Sequence, residues 1–207
     1  MYSTRPGLVL AFHGCDERLI PDLLHGKTSL KDSKNKYDWL GNGVYFWDNS
    51  PSRALEFATF LSKLPNKHNR SNQVTSPAVI GAVLDMGHCL DLLDYKNLEL
   101  LKDGYDLMST SYGHVGKIIP QNKPLKDNAD LILRELDCAV IETIHQFRKD
   151  SRLPPYDSVR GVFWEGKELY PDAGFREKNH IQICIRNPNC IKGYFLPQKF
   201  NDKFNKV

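Results

Sequence analysis

Short apolar runs bounded by turn residues crowd both ends of this chain, and a long amphipathic segment separates them. That order limits the folds open to it. LVLAF (Leu8–Phe12) lies between Pro6-Gly7 and His13-Gly14, GVYFW (Gly43–Trp47) follows Gly41-Asn42, and AVIGAVLDM (Ala78–Met86) comes third; each reads as a strand. SVRGVFW (Ser158–Trp164) is a later one. HIQICIR (His180–Arg186) and CIKGYFL (Cys190–Leu196) close the chain, joined by the turn Asn187-Pro188-Asn189. Between them, DNADLILRELDCAVIETIHQFRKD (Asp127–Asp150) sets Ile132, Leu136, Val140, Ile144 and Phe147 along one face with charges opposite, the pattern of a helix. Shorter helices are expected in DERLIPDLLHG, closed by Gly26, and after Ser50-Pro51, an N-cap with proline at the first helical position. An early strand, helices and late strands without steady βαβ alternation predict an α+β fold.

The 207 residues suit one domain spanning 1–207. At 41% hydrophobic and 11% aromatic the chain is globular in composition. A net charge of +3 falls short of the footprint of a dedicated DNA binder. No apolar run approaches the ~20 residues of a membrane span, and the first residues lack a signal-peptide layout. Cys15, Cys89, Cys138, Cys184 and Cys190 are odd in number and scattered, so they read as reduced thiols of a cytoplasmic protein with no zinc site. The polar stretch from Pro65 to Pro77 is the expected mobile loop.

His13-Gly14 ends the first strand in this reading. The glycine opens the backbone to a close-lying ligand, and a neutral imidazole can bond a hydroxyl. Tyr45 follows a turn; period-two alternation sets Tyr45 and Trp47 on one face and Phe46 on the other. A pocket tyrosine can stack on a flat ring and offer its hydroxyl to a sugar. The ordering FHGC, then GNGVYFWD, then SPSRALEFA resembles the catalytic domain of the ADP-ribosyltransferases, in the branch that includes the poly(ADP-ribose) polymerases. The likeness is specific over residues 8 to 58 and returns loosely at HIQICIRNPNCIKGYFL.

The resemblance implies a split β-sandwich of two small sheets with flanking helices, and NAD as substrate. His13 would bond the adenine-side ribose, the Gly14 backbone would grip the nicotinamide carboxamide, and Tyr45 would stack on the nicotinamide ring. Departure of nicotinamide leaves an oxocarbenium-like centre that fixed dipoles stabilise. Cys15 stands where the family has Ser or Thr. Arg53 falls where a carboxamide-binding Ser is expected and Glu56 where a second aromatic is expected, with Ser52 and Phe57 one residue away from each. Arg53, near a helix start, is alternatively placed to meet the pyrophosphate.

The family's catalytic Glu has no direct counterpart. His180, Gln182 and Cys184 share one face of their strand, and Gln182 is the residue expected in the site, able to accept a ribose hydroxyl but not to act as a base. His180 and Glu177 are the alternatives on the same segment, and Glu142 or Glu165 could supply a carboxylate from elsewhere. YPDAGF (Tyr170–Phe175) would be a lid or acceptor loop. The function implied is mono-ADP-ribosyl transfer to a protein or nucleic-acid acceptor, in a toxin or defence effector with a possible antitoxin or inhibitor partner and no membrane. The alternatives are an NAD glycohydrolase and an inactive NAD- or ADP-ribose-binding module.

Overall fold

Seven strands join edge to edge in the order β4-β7-β8-β2-β1-β3-β9, and a two-stranded ribbon, β5-β6, stands apart. The computed structural model describes residues 7–64, 74–124, 130–198 and 202–203. The strands are β1 (Val9–Asp16), β2 (Val44–Asp48), β3 (Pro77–Leu84), β4 (Cys89–Asp91), β5 (Asn122–Lys123), β6 (Leu133–Arg134), β7 (Ser158–Phe163), β8 (His180–Ile185) and β9 (Ile191–Phe195). The helices are α1 (Ile20–Leu24), α2 (Pro51–Lys63), α3 (Tyr95–His114) and α4 (Glu135–Asp150). β4 and β7 run parallel and every other pair in the large sheet is antiparallel, so the α+β class holds with a mixed sheet.

The hydrogen bonding gives one large sheet where two small ones were expected. The separation survives as a narrow seam: β1 and β2 share only Ala11–Asp48 and Phe12–Trp47, whereas β1 pairs with β3 along its whole length. One face carries Ala11, Phe46, Ala82, Leu84, Ile183 and Ile185 into a buried core. The opposite face is covered in two places. Helices α3 and α4 bring Met108, Val140, Ile141 and Ile144 against Leu90, Val159 and Cys184, while α2 lays Ala54 on Phe12 and Trp47. β2 is therefore buried on both sides, which is why its three consecutive aromatics are tolerated.

Several expectations need correction. The two closing strands, though joined by one turn, do not pair with each other: β8 sits between β7 and β2 while β9 pairs with β3 at the far edge. The turn between them is a short 3-10 segment, Pro188–Cys190. His13-Gly14 lies inside β1, which continues to Asp16 against β3. Helix α4 begins at Glu135 because Leu133 and Arg134 are taken by the ribbon, and Asn122 Oδ1 accepts the Leu136 N–H at 3.0 Å. Its last expected core residue, Phe147, is exposed. Ser50 precedes α2 without a side-chain capping bond, so Pro51 alone marks that start. The expected loop at Pro65–Pro77 lies, up to residue 73, outside the described residues.

Candidate functional site

The seam is where the motif residues meet. β1 and β2 part after Phe12, and His13 Nδ1 bridges the gap by donating to the Tyr45 carbonyl at 2.7 Å. With Nδ1 as donor, the neutral ring keeps its Nε2 lone pair as an acceptor. Burial holds the His13 pKa below its usual value, against the opposing pull of that backbone bond. Gly14 comes next. The Leu10 carbonyl accepts from the Asn49 N–H at 3.0 Å, so even-numbered residues of β1 turn their backbone groups toward β2. By the strand's two-residue period, the Gly14 N–H and C=O face the same edge, two residues past the last registered pair. Glycine is required there for packing as well: a Cβ would lie 2.1 Å from the Ala54 carbonyl oxygen of α2.

Tyr45 is half-buried, with its ring against the α3/α4 cluster. Its hydroxyl accepts from the Leu40 N–H at 3.0 Å and donates to the Gly41 carbonyl at 2.8 Å, so any role toward a sugar falls to the ring. Burial pushes the phenol pKa well above its usual value. The Gly-Asn-Gly turn has a different purpose from the one its sequence suggested. What approaches its backbone is the chain itself: a Cβ on Gly43 would meet the Ile185 carbonyl at 2.4 Å. Asn42 is gripped by Glu142 and Arg186, the Asn42 N–H donating to Glu142 at 2.8 Å and Arg186 donating to the Asn42 carbonyl at 2.9 Å. Glu142 also pairs with Arg186 at 2.6 Å, which commits that carboxylate to the turn.

Registered pairing puts Tyr45, Trp47, Cys184, Gln182, His180 and Phe163 on one face. His13 lies on the other, edge-on to Phe46 at 5.8 Å. Gln182 is the expected third residue, but its Oε1 accepts from Trp39 Nε1 at 2.6 Å. While that bond holds, Gln182 has one Oε1 lone pair and its two N–H donors left to offer. His180 is the better acceptor. Its Nδ1 donates to the Lys178 carbonyl at 2.6 Å, its ring stacks on Phe163 at 5.3 Å, and its buried Nε2 has no hydrogen-bond partner among the described residues. Burial lowers its pKa to about 4, with the Lys178 carbonyl opposing and the Arg53 charge assisting, so the ring is neutral at pH 7. Trp47 Nε1 and Arg53 Nε are two more buried donors in this neighbourhood without partners among the described residues.

Helix α2 supplies the remaining candidates. Ser52 is exposed and Phe57 stacks obliquely on Trp47 at 5.1 Å, beside His180 at 6.2 Å from the same indole. Arg53 turns inward, donating through Nη2 to Glu165 at 2.9 Å and through Nη1 to Glu56. Both its terminal nitrogens are thus held by carboxylates. Lys178 bonds Glu56 at 2.7 Å from the other side. Glu177 is exposed on the following hairpin, accepting from the Lys167 N–H at 3.3 Å. That hairpin carries an open depression of about 600 Å³ lined by Lys167, Leu169, Tyr170, Pro171 and Arg176, which includes part of YPDAGF.

Sequence reasoning did not find Trp39, Phe163 or Arg134, whose guanidinium lies 4.3 Å over the Phe163 ring. The available signal for Trp39 was its place beside the glycine turn. Cys15, where a hydroxyl was expected, is buried against Leu23 and Ile80, and burial raises its thiol to about 11. No group of His, Cys, Asp and Glu among the described residues is arranged to hold a metal ion. No described helix is long and apolar enough to cross a membrane. Comparison with family models, curated proteins and solved structures returned no match.

Proposed function

We propose that this chain is an NAD-dependent mono-ADP-ribosyltransferase whose site is the β1/β2 seam. One observation carries the reading. The ladder stops two residues before Gly14, the Gly14 backbone faces the opening, and His13 holds the two sides together through Tyr45. A carboxamide docked on that edge would take the N–H and C=O pair that a neighbouring strand otherwise takes. The nicotinamide ring would then lie against Tyr45, while His13 Nε2 and His180 Nε2 would accept ribose hydroxyls. His180 replaces Gln182 as the third site residue, because its Nε2 is wholly unpaired among the described residues whereas Gln182 Oε1 is shared with Trp39. Arg53, more than Ser52, is the α2 residue turned to the site, and exchange of a carboxylate for pyrophosphate would bring it onto the cofactor.

The acceptor would be a protein or nucleic acid, with an antitoxin or inhibitor as the partner of such an effector. A second reading, an NAD- or ADP-ribose-binding module, is favoured by one feature: β8 presents imidazole and amide to the site where a transferase of this kind carries a carboxylate. The test is nicotinamide release from NAD⁺ by purified protein, with and without cell lysate, beside calorimetric binding of NAD⁺. Lysate-dependent release that is lost in His180→Ala supports transfer. Release without lysate identifies a glycohydrolase. Binding without release establishes the module, and no binding at about millimolar NAD⁺ overturns the proposal.

A further inference from the structure

We infer that residues 27–36 bind a single strand of nucleic acid across the mouth of the β1/β2 seam. The binding stands apart from the transfer reading; naming that strand as the acceptor rests on it. Along β2 the Asn49 N–H and the Tyr45 carbonyl both turn toward β1, and by the two-residue period so does the backbone of Gly43. There it meets Ser33, whose N–H donates to the Gly43 carbonyl at 2.8 Å and whose carbonyl accepts the Gly43 N–H at 3.1 Å. The segment thus fills the wide end of the seam, two residues beyond Tyr45. Leu30 anchors it from inside, packed against the clusters that hold Val44 and Phe46 of β2 and Cys15 of β1. Asp38 accepts from the Ser33 hydroxyl and from the Asn35 N–H at 2.9 Å, and the Cys138 thiol of α4 donates to the Asn35 carbonyl at 3.7 Å.

Held inward at these points, the segment leaves Lys27, Lys31, Lys34 and Lys36 exposed, and among the described residues none of the four pairs with a carboxylate. Four lysines against Asp32 give these residues a net charge of +3, equal to that of the whole chain. The rest of the sequence therefore sums to zero, and the excess positive charge stands at the seam. Lys31 to Lys36 reach over at most ~16 Å of chain, a length that spans several phosphates of one strand. Tyr37, 42% exposed, adds a ring beside them, and cations with an adjacent aromatic are what a sequence-tolerant single-strand surface uses. The segment has no arginine, the side chain whose fork best matches the carboxylates of an acidic protein. In the transfer step the bond from C1′ to nicotinamide breaks with its electron pair leaving on the nicotinamide nitrogen. A lone pair on a hydroxyl or base nitrogen of the strand closes on C1′, and its proton passes to water.

The test is fluorescence anisotropy of a short labelled single-stranded oligonucleotide with the full chain, across salt from about 50 to 200 mM. The triple variant Lys31→Gln, Lys34→Gln, Lys36→Gln should weaken binding about a hundredfold near 0.1 M salt and flatten the log Kd against log salt slope by about 2, since each phosphate contact contributes about 0.7. The matching Lys→Arg triple should bind as wild type does. Lys96→Gln, Lys102→Gln, Lys149→Gln, made together on exposed positions of α3 and α4, should change affinity by less than about threefold. A strap variant within about threefold of wild type overturns the assignment, and so does an equal loss from the α3/α4 triple, the mark of net charge alone. Tighter binding of an oligo-glutamate peptide than of the oligonucleotide overturns it in favour of an acidic protein. The oligonucleotide should also replace lysate in driving nicotinamide release from NAD⁺; release that still needs lysate removes the strand as acceptor and leaves the surface. A chain that binds the strand but neither binds NAD⁺ nor releases nicotinamide removes the transfer reading alone.

Discussion

A single methyl group added at Gly14 tests the packing that creates the seam. The new Cβ in Gly14→Ala would stand 2.1 Å from the Ala54 carbonyl oxygen, 3.0 Å from its carbonyl carbon and 3.1 Å from Ala58 Cβ. Comfortable contacts begin near 3.5 Å, so α2 must withdraw by about 1 Å or more. Two of the three atoms are helix backbone, which no rotamer change can move aside. Overpacking a core costs about 1–3 kcal/mol, and a backbone clash belongs at the upper end. In a chain of this size, about 3 kcal/mol lowers the melting temperature by roughly 6–12 °C. Differential scanning fluorimetry and urea titration measure it. Gly193→Ala is the control, since its Cβ meets nothing within 4 Å and should shift melting by no more than about 2 °C. A Gly14→Ala melting temperature within about 2 °C of wild type would refute the close approach of α2 to β1, and with it the geometry assigned to the seam.

Glu142→Gln and Arg186→Met, singly and together, should show a coupling of about 1 kcal/mol in urea, because the pair is half-buried and holds the Asn42 turn; strict additivity counts against that. Burial alone would raise the Glu142 carboxyl, but Arg186 and the Asn42 N–H outweigh it and lower its pKa, so its stabilisation is present at neutral pH and lost as pH falls through that lowered value. His180 and His145 are both brought to about 4, chiefly by burial, so the unfolded chain binds more protons between about pH 6.5 and 4. Stability should therefore decline across that window on acidification, and His145→Gln should flatten part of the decline in urea midpoints taken from pH 7 to 5. Trp39→Phe should cost about 1 kcal/mol, roughly 2–4 °C, by removing the donor to Gln182; an unchanged melting temperature would show that bond to be dispensable.

What was legible in the sequence was local. The β2 run, the Pro51 helix start and the alternation of Tyr45, Phe46 and Trp47 follow from neighbours a few residues away and the structure places them as read, whereas β1 was found but runs four residues past its expected end at Phe12. What was not legible depends on distant partners. Helix α3 escaped reading because Gly104 and Ser109-Thr110-Ser111 weaken its pattern; the glycine is there so that Ile144 of α4 can close in, and a Cβ would be 2.6 Å from Ile144 Cγ1. The true start of α4 is set by Asn122, fourteen residues upstream of Leu136. The third site residue could not be chosen because Gln182 is occupied by Trp39 across 143 positions of chain, a bond with no local signature. The Gly-Asn-Gly turn was visible, but not that Ile185 and Glu142 fill the space it opens.

The two-pair seam between β1 and β2 also bears on how the molecule responds to occupancy. A sheet is only as cooperative as its narrowest ladder, and here that ladder is the line beside which His13, Gly14 and Tyr45 lie. A molecule bonded to the Gly14 edge on one side and to β2 or β8 on the other would add the rungs those strands do not give each other. It would serve as a stand-in for an eighth strand. Binding would then tighten the half of the sheet built on β3 and β9 to the half built on β7 and β8, and amide protons of both halves would exchange more slowly together, including those far from any contact with the bound molecule.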